Sequence, residues 1–456
     1  MILFKSSSLL VLLLLLTITS LANIPTTNAQ CYEHNPLKIS DKELVECPLV
    51  DDGDDEESLK KRQNTSSNST QMFQIKLTCG ISDRAICAKV NTAFAAAGTI
   101  ISATLNLKEP VTVNATFIDF CKSMGDCGNS GFLTLGAAPA RTIPMQDLDG
   151  KQRFYPQALV KQFGYTTHSS YSAYDIVAMF NSVANFWFDG DPPIRTSQSD
   201  FLFVIVHELV HGLGFTSSWD DYLNDVPEAL TPDLGGTTKG SRRQYQFVEY
   251  AFDQYIVVIP QNKNLSIYTD QENVFSKGTG NKYTNIDDFA QGFVDSPQYA
   301  VAKQLFNYAT TSNSLGFMPR GTKDPNDAII LETSLNPYQQ GSSISHVDYS
   351  KYTNTSDFLM RYLQDRGVSL QNAVLNGGDY KGGAIGPQLK SVFETLGYAT
   401  QDNPNPYRPS PPSPNSKTDD SSSSDAPKFN LIYSSLRMQS LLSIIVMFFA
   451  WYITRD

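Results

Sequence analysis

The sequence predicts an α+β fold in which a twisted sheet packs on a small number of helices. Two segments, 72–77 and 111–118, alternate β-branched or apolar residues with polar ones, which is typical of half-buried strands. Residues 83–97 between them predict a helix, and a strongly apolar run follows from Val204. This order of elements favours a domain whose later helix lies under the sheet.

Two further segments lie between these elements. Residues 131–138 predict a strand and a turn, because an apolar stretch gives way to Gly136 and two alanines. Residues 172–188 predict a helix, because apolar side chains recur there at helical spacing.

The segment 217–340 contains no histidine and is rich in Tyr, Phe, Gln and Asn. It is too long for a structureless loop. Its pattern predicts a helix at 246–256 and others between 286 and 310. We expect an inserted subdomain that walls a cleft of the main domain; the alternative is a segment that only buttresses the core.

The chain has 456 residues, enough for one large or two medium domains. Its net charge is −11 and no basic stripe is visible, which argues against nucleic acid as the main partner. Residues 1–22 predict a secretory signal peptide, with Lys5 before an apolar core at 9–16. Cleavage is expected after Ala22 or, alternatively, after Ala29.

The six cysteines lie in the first third of the chain, at Cys31, Cys47, Cys79, Cys87, Cys121 and Cys127. With an export signal they predict disulfides. Their spacing favours the local pairs Cys79–Cys87 and Cys121–Cys127 but leaves other pairings open. Glycosylation sequons fit the same secretory route and stand at Asn64, Asn68, Asn114, Asn264 and Asn354.

A charged segment separates the first cysteines from the predicted domain. Residues 51–57 are acidic, Lys60-Lys61-Arg62 follows, and a Ser/Thr/Asn stretch continues to Thr70. Such a composition predicts an exposed linker. Two interpretations stay open: residues 30–62 form a propeptide that is cleaved after Arg62, or the segment is a solvated loop.

The C-terminal part changes composition after the predicted domain, which we place at 71–400. Residues 387–396 predict a short amphipathic helix that Gly397 ends. Residues 401–426 are rich in Pro and Ser and predict an extended stalk. Residues 427–456 end in an apolar run that is short for a membrane span, and they predict either a GPI signal with Ser424 as the attachment site or a short membrane anchor.

The apolar run contains the sequence His207-Glu208-Leu209-Val210-His211. On a helix, residues four apart face the same way, so two neutral imidazoles can bind one Zn²⁺. Glu208 stands beside the first histidine, where it can act as a general base. Ser199 or Asp200 predicts the start of this helix, and Gly212 or Gly214 its end. The alternative is a core helix with two hydrogen-bonded histidines.

A catalytic zinc commonly has three protein ligands and one open position. The remaining histidines are His34, His168 and His346. His34 precedes the basic run Lys60-Lys61-Arg62, and His168 lies in a polar stretch typical of a surface loop. Glu249, predicted to lie on a helix, is an alternative third ligand. The residues by themselves leave this choice open.

Residues 207–215 resemble the zinc helix of the metzincin peptidases. The stretch Gly-Ser-x-x-Ser-His-x-Asp at 341–348, followed by Leu359-Met360, resembles the leishmanolysin-like branch. The compact metzincin signature has its third ligand where this chain has Ser217, a weak ligand. The resemblance covers roughly residues 95–399. It implies a metzincin-like catalytic domain, with His346 as the third zinc ligand and Met360 as the residue of the methionine turn.

The resemblance and the motif together predict a secreted or cell-surface zinc endopeptidase that acts on protein or peptide substrates. Glu208 is expected to take a proton from the attacking water and to pass it to the leaving amine. Tyr362 is either a donor to the developing oxyanion or a packing residue. The alternative function is a catalytically inactive adhesin or binding protein on the same scaffold. Contact with the membrane is expected only through the C-terminal anchor.

Overall fold

The computed structural model describes the backbone of residues 30–35, 38–46, 72–127, 133–165, 171–224, 226–239, 242–279, 283 and 285–411. Side chains are described within these ranges except at 30–46, 236–244 and 279. Several predicted features lie outside the described residues. They are the signal peptide, the basic run Lys60-Lys61-Arg62, most of the stalk, the C-terminal tail, and the residues Asn64, Asn68, His168 and Ser424.

Helices and strands are mixed along the chain, which confirms the α+β class. The helices are α1 (Arg84–Thr104), α2 (Phe120–Met124), α3 (Gln157–Gln162), α4 (Phe201–Gly212), α5 (Ser266–Thr279), α6 (Ile286–Val294), α7 (Tyr299–Ala309), α8 (Tyr349–Tyr352), α9 (Leu370–Asn376) and α10 (Pro387–Leu396). The strands are β1 (Gln30–Asn35), β2 (Lys38–Glu46), β3 (Phe73–Cys79), β4 (Val111–Ile118), β5 (Gly136–Ala137), β6 (Thr142–Gln146), β7 (Gln152–Pro156), β8 (Ile176–Asn181), β9 (Phe186–Trp187), β10 (Ser199–Asp200), β11 (Asp233–Lys239), β12 (Arg242–Val248), β13 (Ile256–Val258), β14 (Lys263–Asn264), β15 (Leu315–Phe317) and β16 (Ile329–Ile330).

The central sheet has the order β3-β4-β8-β5. Strands β3, β4 and β8 are parallel, and the short edge strand β5 is antiparallel to β8. Along β4, residues alternate between buried and half-buried positions, because one face of the strand lies on the core. Helix α1 connects β3 to β4, as parallel neighbours require a crossover.

Helices α1 and α4 pack together against the sheet. Phe201, at the first position of α4, has no exposed surface and contacts five aromatic rings, those of Phe94, Phe117, Phe180, Phe186 and Phe188. Within the described part of the chain, α1 is the one helix long and apolar enough to cross a membrane. Its residues Val90, Phe94 and Ile101 are completely buried in the domain core.

Several predicted elements are confirmed. The strands at 72–77 and 111–118 are β3 and β4, and the helix predicted at 83–97 is α1, which continues to Thr104. The helices expected between 286 and 310 are α6 and α7. Helix α10 spans 387–396 as predicted, and Gly397 ends it with a positive φ of 126°.

Two helix predictions were wrong. Residues 172–188 contain the strands β8 and β9, and the buried side chains of β8 follow the two-residue repeat of a strand at Ile176, Ala178 and Phe180. Several apolar residues in so short a stretch satisfy helical and strand spacing alike, so periodicity cannot separate them. Residues 246–256 contain the end of β12, a turn and the start of β13, because β12 pairs with β11 along its full length.

The predicted insertion 217–340 shares the core of the main domain. Phe252, Ile256, Leu315 and Phe317 belong to the same hydrophobic cluster as the residues of α1 and α4. A second, smaller cluster lies within the insertion and contains Phe247, Phe275, Phe289, Phe293 and Tyr299. The insertion is therefore anchored in the domain at one side and has its own small core at the other.

Strands β1 and β2 form an antiparallel hairpin within the segment predicted as a propeptide. Tyr32 of this hairpin pairs with Thr142, which gives a sheet with the order β2-β1-β6-β7. The backbone of residues 30–46 thus lies beside the domain. Removal of the segment stays a prediction.

Candidate metal centre

Helix α4 carries the first two histidines and is fixed at both ends. Asp200 caps its start, accepting a hydrogen bond from the Leu202 main-chain N–H at 2.9 Å. The same carboxylate accepts from the Leu370 N–H at 2.7 Å, which ties the helix to α9. The helix ends at Gly212, and Gly214 then turns the chain with a φ of 115°. Both predicted ends of the helix are thereby confirmed.

Three imidazoles converge at the middle of this helix. The Nε2 atoms of His207, His211 and His346 are 3.2 Å apart in each of the three pairs. Among the described side chains, this is the one group of His, Cys, Asp or Glu whose ligand atoms cluster as a metal site requires. The structure therefore brings together the three histidines that the sequence singled out.

The opposite nitrogen of each ring determines which tautomer is present. Every Nδ1 donates to a main-chain carbonyl: His207 to Leu359 at 2.8 Å, His211 to Phe215 at 2.7 Å and His346 to Ser342 at 2.9 Å. With the proton on Nδ1, each Nε2 carries a lone pair that points at the other two rings. Such backbone partners are typical of histidines that bind metals.

Three lone pairs at this distance repel one another unless a cation lies among them. A triangle with sides of 3.2 Å has its centre about 1.85 Å from each corner, so an ion with zinc–imidazole distances of about 2.0–2.1 Å fits just outside the plane. The donor set of three neutral nitrogens suits zinc better than calcium or magnesium, which prefer oxygen ligands. The residues present thus fit a zinc ion.

Burial controls the charge of the site. It lowers the pKa of His207 to about 4 and that of His211 to about 3, and it places the pKa of His346 well below its ordinary value. The three rings are therefore neutral at pH 7, the form that binds a metal. Burial also raises the pKa of Glu208 to about 8. A cation close to Glu208 would favour its carboxylate again.

The segment of His346 is held between two other chain segments. On one side the Glu332 N–H, two residues after the end of β16, donates to the His346 carbonyl at 2.8 Å. On the other side the Val347 N–H donates to the Met360 carbonyl at 2.9 Å. These two hydrogen bonds hold the segment of the distant histidine in position.

Met360 lies in a turn and is 1% exposed. The preceding carbonyl, that of Leu359, accepts the His207 hydrogen bond. The next residue, Arg361, fixes the turn through bonds from Nε to the Phe358 carbonyl, from Nη1 to Thr353 and from Nη2 to Asp365. Sequence reasoning missed Arg361 and the buried Glu332, because neither belongs to a local motif.

Glu249, the alternative third ligand, lies elsewhere. It follows β12 instead of standing on a helix, and it is buried. One carboxylate oxygen accepts from Arg153 Nε at 2.8 Å and from Ser266 Oγ at 2.7 Å, and the other accepts from Thr269. Arg153 is also paired with Asp147. Glu249 thus belongs to a buried ion-pair network, and the structure does not bring it to the histidines.

A cavity of about 620 Å³ opens above the three histidines and Glu208. Strand β5 and residues 138–140 line this cavity. It is also lined by residues 250–252, 335–337, 339–341 and 361–364. The predicted insertion therefore walls the cavity as well as sharing the core.

A family model described as SPBPB7E8-like matches residues 31–429. The chain belongs to this family. It is also 29% identical over 380 residues to "Uncharacterized protein PB7E8.01" of Schizosaccharomyces pombe, an alignment that covers 76% of this chain and 65% of that protein. The chain thus spans about two thirds of the length of this curated relative. No solved structure matches.

The remaining sequence predictions concern side chains outside the metal centre. The disulfides Cys79–Cys87 and Cys121–Cys127 are both present. Cys31 lies in β1, where side chains are not described, and Cys47 lies outside the described residues. Tyr362 lines the cavity, with its ring 5.6 Å from that of Tyr349.

The sequons within the described residues differ in exposure. Asn264 and Asn354 are exposed, as glycan attachment requires. Asn114 is half-buried on the central strand β4. The backbone of Asn354 has a positive φ of 58°, typical of asparagine in a turn.

Proposed function

We propose that this protein is a zinc-dependent endopeptidase with a metzincin-like fold of the leishmanolysin-like branch. The observation that carries the proposal is the convergence of three neutral imidazoles, each with its Nε2 3.2 Å from the other two, in the wall of a cavity that also contains Glu208. Two further features support the assignment to this branch: a central sheet with an antiparallel edge strand, and a buried Met360 next to Leu359, whose carbonyl accepts from His207.

The proposed division of roles follows from the donor atoms. His207, His211 and His346 would hold the zinc and leave its cavity side open. When bound, zinc polarises the scissile carbonyl and makes water more acidic. Leu359, Phe215 and Ser342 hold the three rings in place through their carbonyl groups.

Glu208 supplies proton transfer. It stands in the cavity wall one residue after His207, and its pKa is open to adjustment by the charge beside it. As a carboxylate it takes a proton from the attacking water, and as a carboxylic acid it returns the proton to the leaving nitrogen. The same side chain therefore serves both halves of the reaction.

The lining of the cavity favours an extended peptide as substrate. Strand β5 is the edge strand of the central sheet, pairs with β8 and lines the cavity. A peptide laid beside Gly136 and Ala137 could add a strand to the sheet through main-chain hydrogen bonds. The small side chains at these positions leave room for it.

The proposed location is the outside of the cell. Two disulfides within the domain support an oxidising compartment, because such bonds rarely persist in the cytosol. The signal peptide at 1–22 and a tether at 427–456, either a GPI anchor or a short membrane anchor, complete this proposal.

Glu208→Gln tests the function directly. We expect the variant to retain one zinc per chain, because Glu208 is not a ligand, and to lose about 10²- to 10⁴-fold in the rate of casein or peptide cleavage. The control is His346→Ala, which should lose both zinc and activity. Cleavage by the Glu208→Gln variant at nearly the wild-type rate would refute the base role. A wild-type protein that binds zinc without cleaving any peptide would favour the adhesin alternative.

A further inference from the structure

The loop that follows the zinc helix is held by a carboxylate from the insertion. Ser217, which is 4% exposed, stands at the position where compact metzincins have their third ligand. Its hydroxyl donates to Asp253 Oδ1 at 2.7 Å. The other oxygen of Asp253 accepts from the main-chain N–H of Ser218 at 3.0 Å and from that of Tyr250 at 2.9 Å. Asp253 has no exposed surface.

The same loop contacts two of the three ligand segments. Phe215, two residues before Ser217, provides the carbonyl that orients His211. The Ser217 N–H donates to Ser345 Oγ at 3.2 Å, and Ser345 directly precedes His346. The loop therefore lies between the second ligand, on α4, and the third ligand, which the chain supplies after the insertion.

We infer that Asp253 is a positioning residue of the metal centre, which aligns His211 and His346 by fixing the loop at 215–218. This inference rests on the proposed function. Three donors converge on one buried carboxylate, so the loop has a single well-defined position relative to the insertion. Without Asp253, the positions of the Phe215 carbonyl and the Ser345 hydroxyl are no longer fixed relative to each other. The rings of His211 and His346 are then no longer held in the orientation in which both Nε2 atoms face one metal ion.

The expected effect is on metal affinity. Loss of a partner behind a metal ligand commonly weakens binding 10- to 100-fold, so we expect Asp253→Ala to raise the dissociation constant for Zn²⁺ by about that factor. Asp253→Asn should recover most of the affinity. Its amide oxygen can accept from the two main-chain N–H groups, while its NH₂ group donates to the Ser217 hydroxyl, which is able to accept.

Asp221 provides the matched control. It is also a buried aspartate of the insertion, and it accepts from the main-chain N–H groups of Leu223, Asn224, Glu228 and Ala229. None of these groups belongs to a ligand segment. Asp221→Ala should therefore cost stability, as Asp253→Ala does, but leave zinc affinity at the wild-type value.

The experiment compares the full-length wild type with Asp253→Ala, Asp253→Asn and Asp221→Ala. Competition with a chromophoric chelator gives the zinc affinity of each protein. The visible spectrum of each Co²⁺-substituted protein reports the geometry of the site. The inference predicts weaker binding and an altered Co²⁺ spectrum for Asp253→Ala alone. Equal affinity in Asp253→Ala and wild type, or equal losses in Asp253→Ala and Asp221→Ala, would overturn it. If Asp253→Ala does not fold, Ser217→Ala removes one of the two bonds between Asp253 and the loop and should weaken binding in the same direction but by a smaller factor; unchanged binding would overturn the inference. A wild-type protein that binds no zinc would remove the proposed function as well.

Discussion

Gly212 follows His211 and ends α4 where the helix packs against Ile176 of β8 and against Ala138. A Cβ atom at this position would lie 2.6 and 2.8 Å from two carbons of Ile176 and 2.9 Å from the carbonyl oxygen of Ala138. Ordinary carbon contacts lie at about 3.5–4.0 Å, so these neighbours would have to move by roughly 0.6–1 Å. Ala138 offers main chain beside the edge strand, which cannot rotate away as a side chain could.

The expected cost of Gly212→Ala follows from these contacts. Overpacking of this kind destabilises by about 1–3 kcal/mol. Alanine recovers at most about 1 kcal/mol of helix propensity, and less at the last helical residue. We therefore expect a net loss of about 1–2 kcal/mol in the free energy of unfolding, which lowers the folded-to-unfolded ratio by a factor of about 5–30.

Urea unfolding in the presence of a chelator measures this loss, because packing then acts without any contribution from a metal. Gly278→Ala is the matched control: Gly278 lies near the end of α5, and a Cβ there would have nothing within 4 Å. This control should be neutral or stabilised by up to about 1 kcal/mol. A Gly212→Ala protein as stable as the Gly278→Ala protein would refute the close approach of α4 to the edge strand.

Two further variants test the buried charges. Glu249→Ala deprives Arg153 of a buried partner and should lower the free energy of unfolding, measured in urea, by at least about 3 kcal/mol. The zinc content of the folded protein should stay unchanged. A loss of zinc would instead make Glu249 a ligand. Burial raises the pKa of Asp220 from 3.8 to about 6, so the folded state favours the protonated carboxyl. The stability that the protonated Asp220 contributes is fully present below about pH 4 and is lost as the pH rises through 6. Asp220→Asn should therefore gain up to about 3 kcal/mol relative to wild type between pH 4 and pH 7, and a difference that does not change with pH would contradict this reasoning.

The sequence was sufficient where the signal is local. Helix α4 and most of α1 follow from the spacing of their apolar residues, and the capping residue of α4 was narrowed to Ser199 or Asp200. His346 required the resemblance, because nothing near it in the chain indicates what it faces. The structure supplies the reason: the hydrogen bonds from Glu332 and to Met360 place it, and both partners come from other segments.

Other features depend on tertiary contacts that no local pattern reports. Strand β8 was mistaken for a helix, since its partner strands, and not its own residues, decide its conformation. Glu249 was taken for a candidate ligand because a carboxylate looks alike in sequence whether it faces a metal or Arg153. Ser217 was recognised only as a weak ligand, and its bond to Asp253 crosses 36 positions of the chain.

X-ray absorption at the zinc edge of the purified wild-type protein tests whether the three histidines bind one metal ion. We expect one zinc per chain with three imidazole nitrogens and one oxygen ligand at about 2.0–2.1 Å. His346→Ala should lower the number of imidazoles or abolish zinc binding. A protein without zinc, a sulfur ligand, or fewer than three imidazoles in the wild type would contradict the assignment of His207, His211 and His346 as one metal centre.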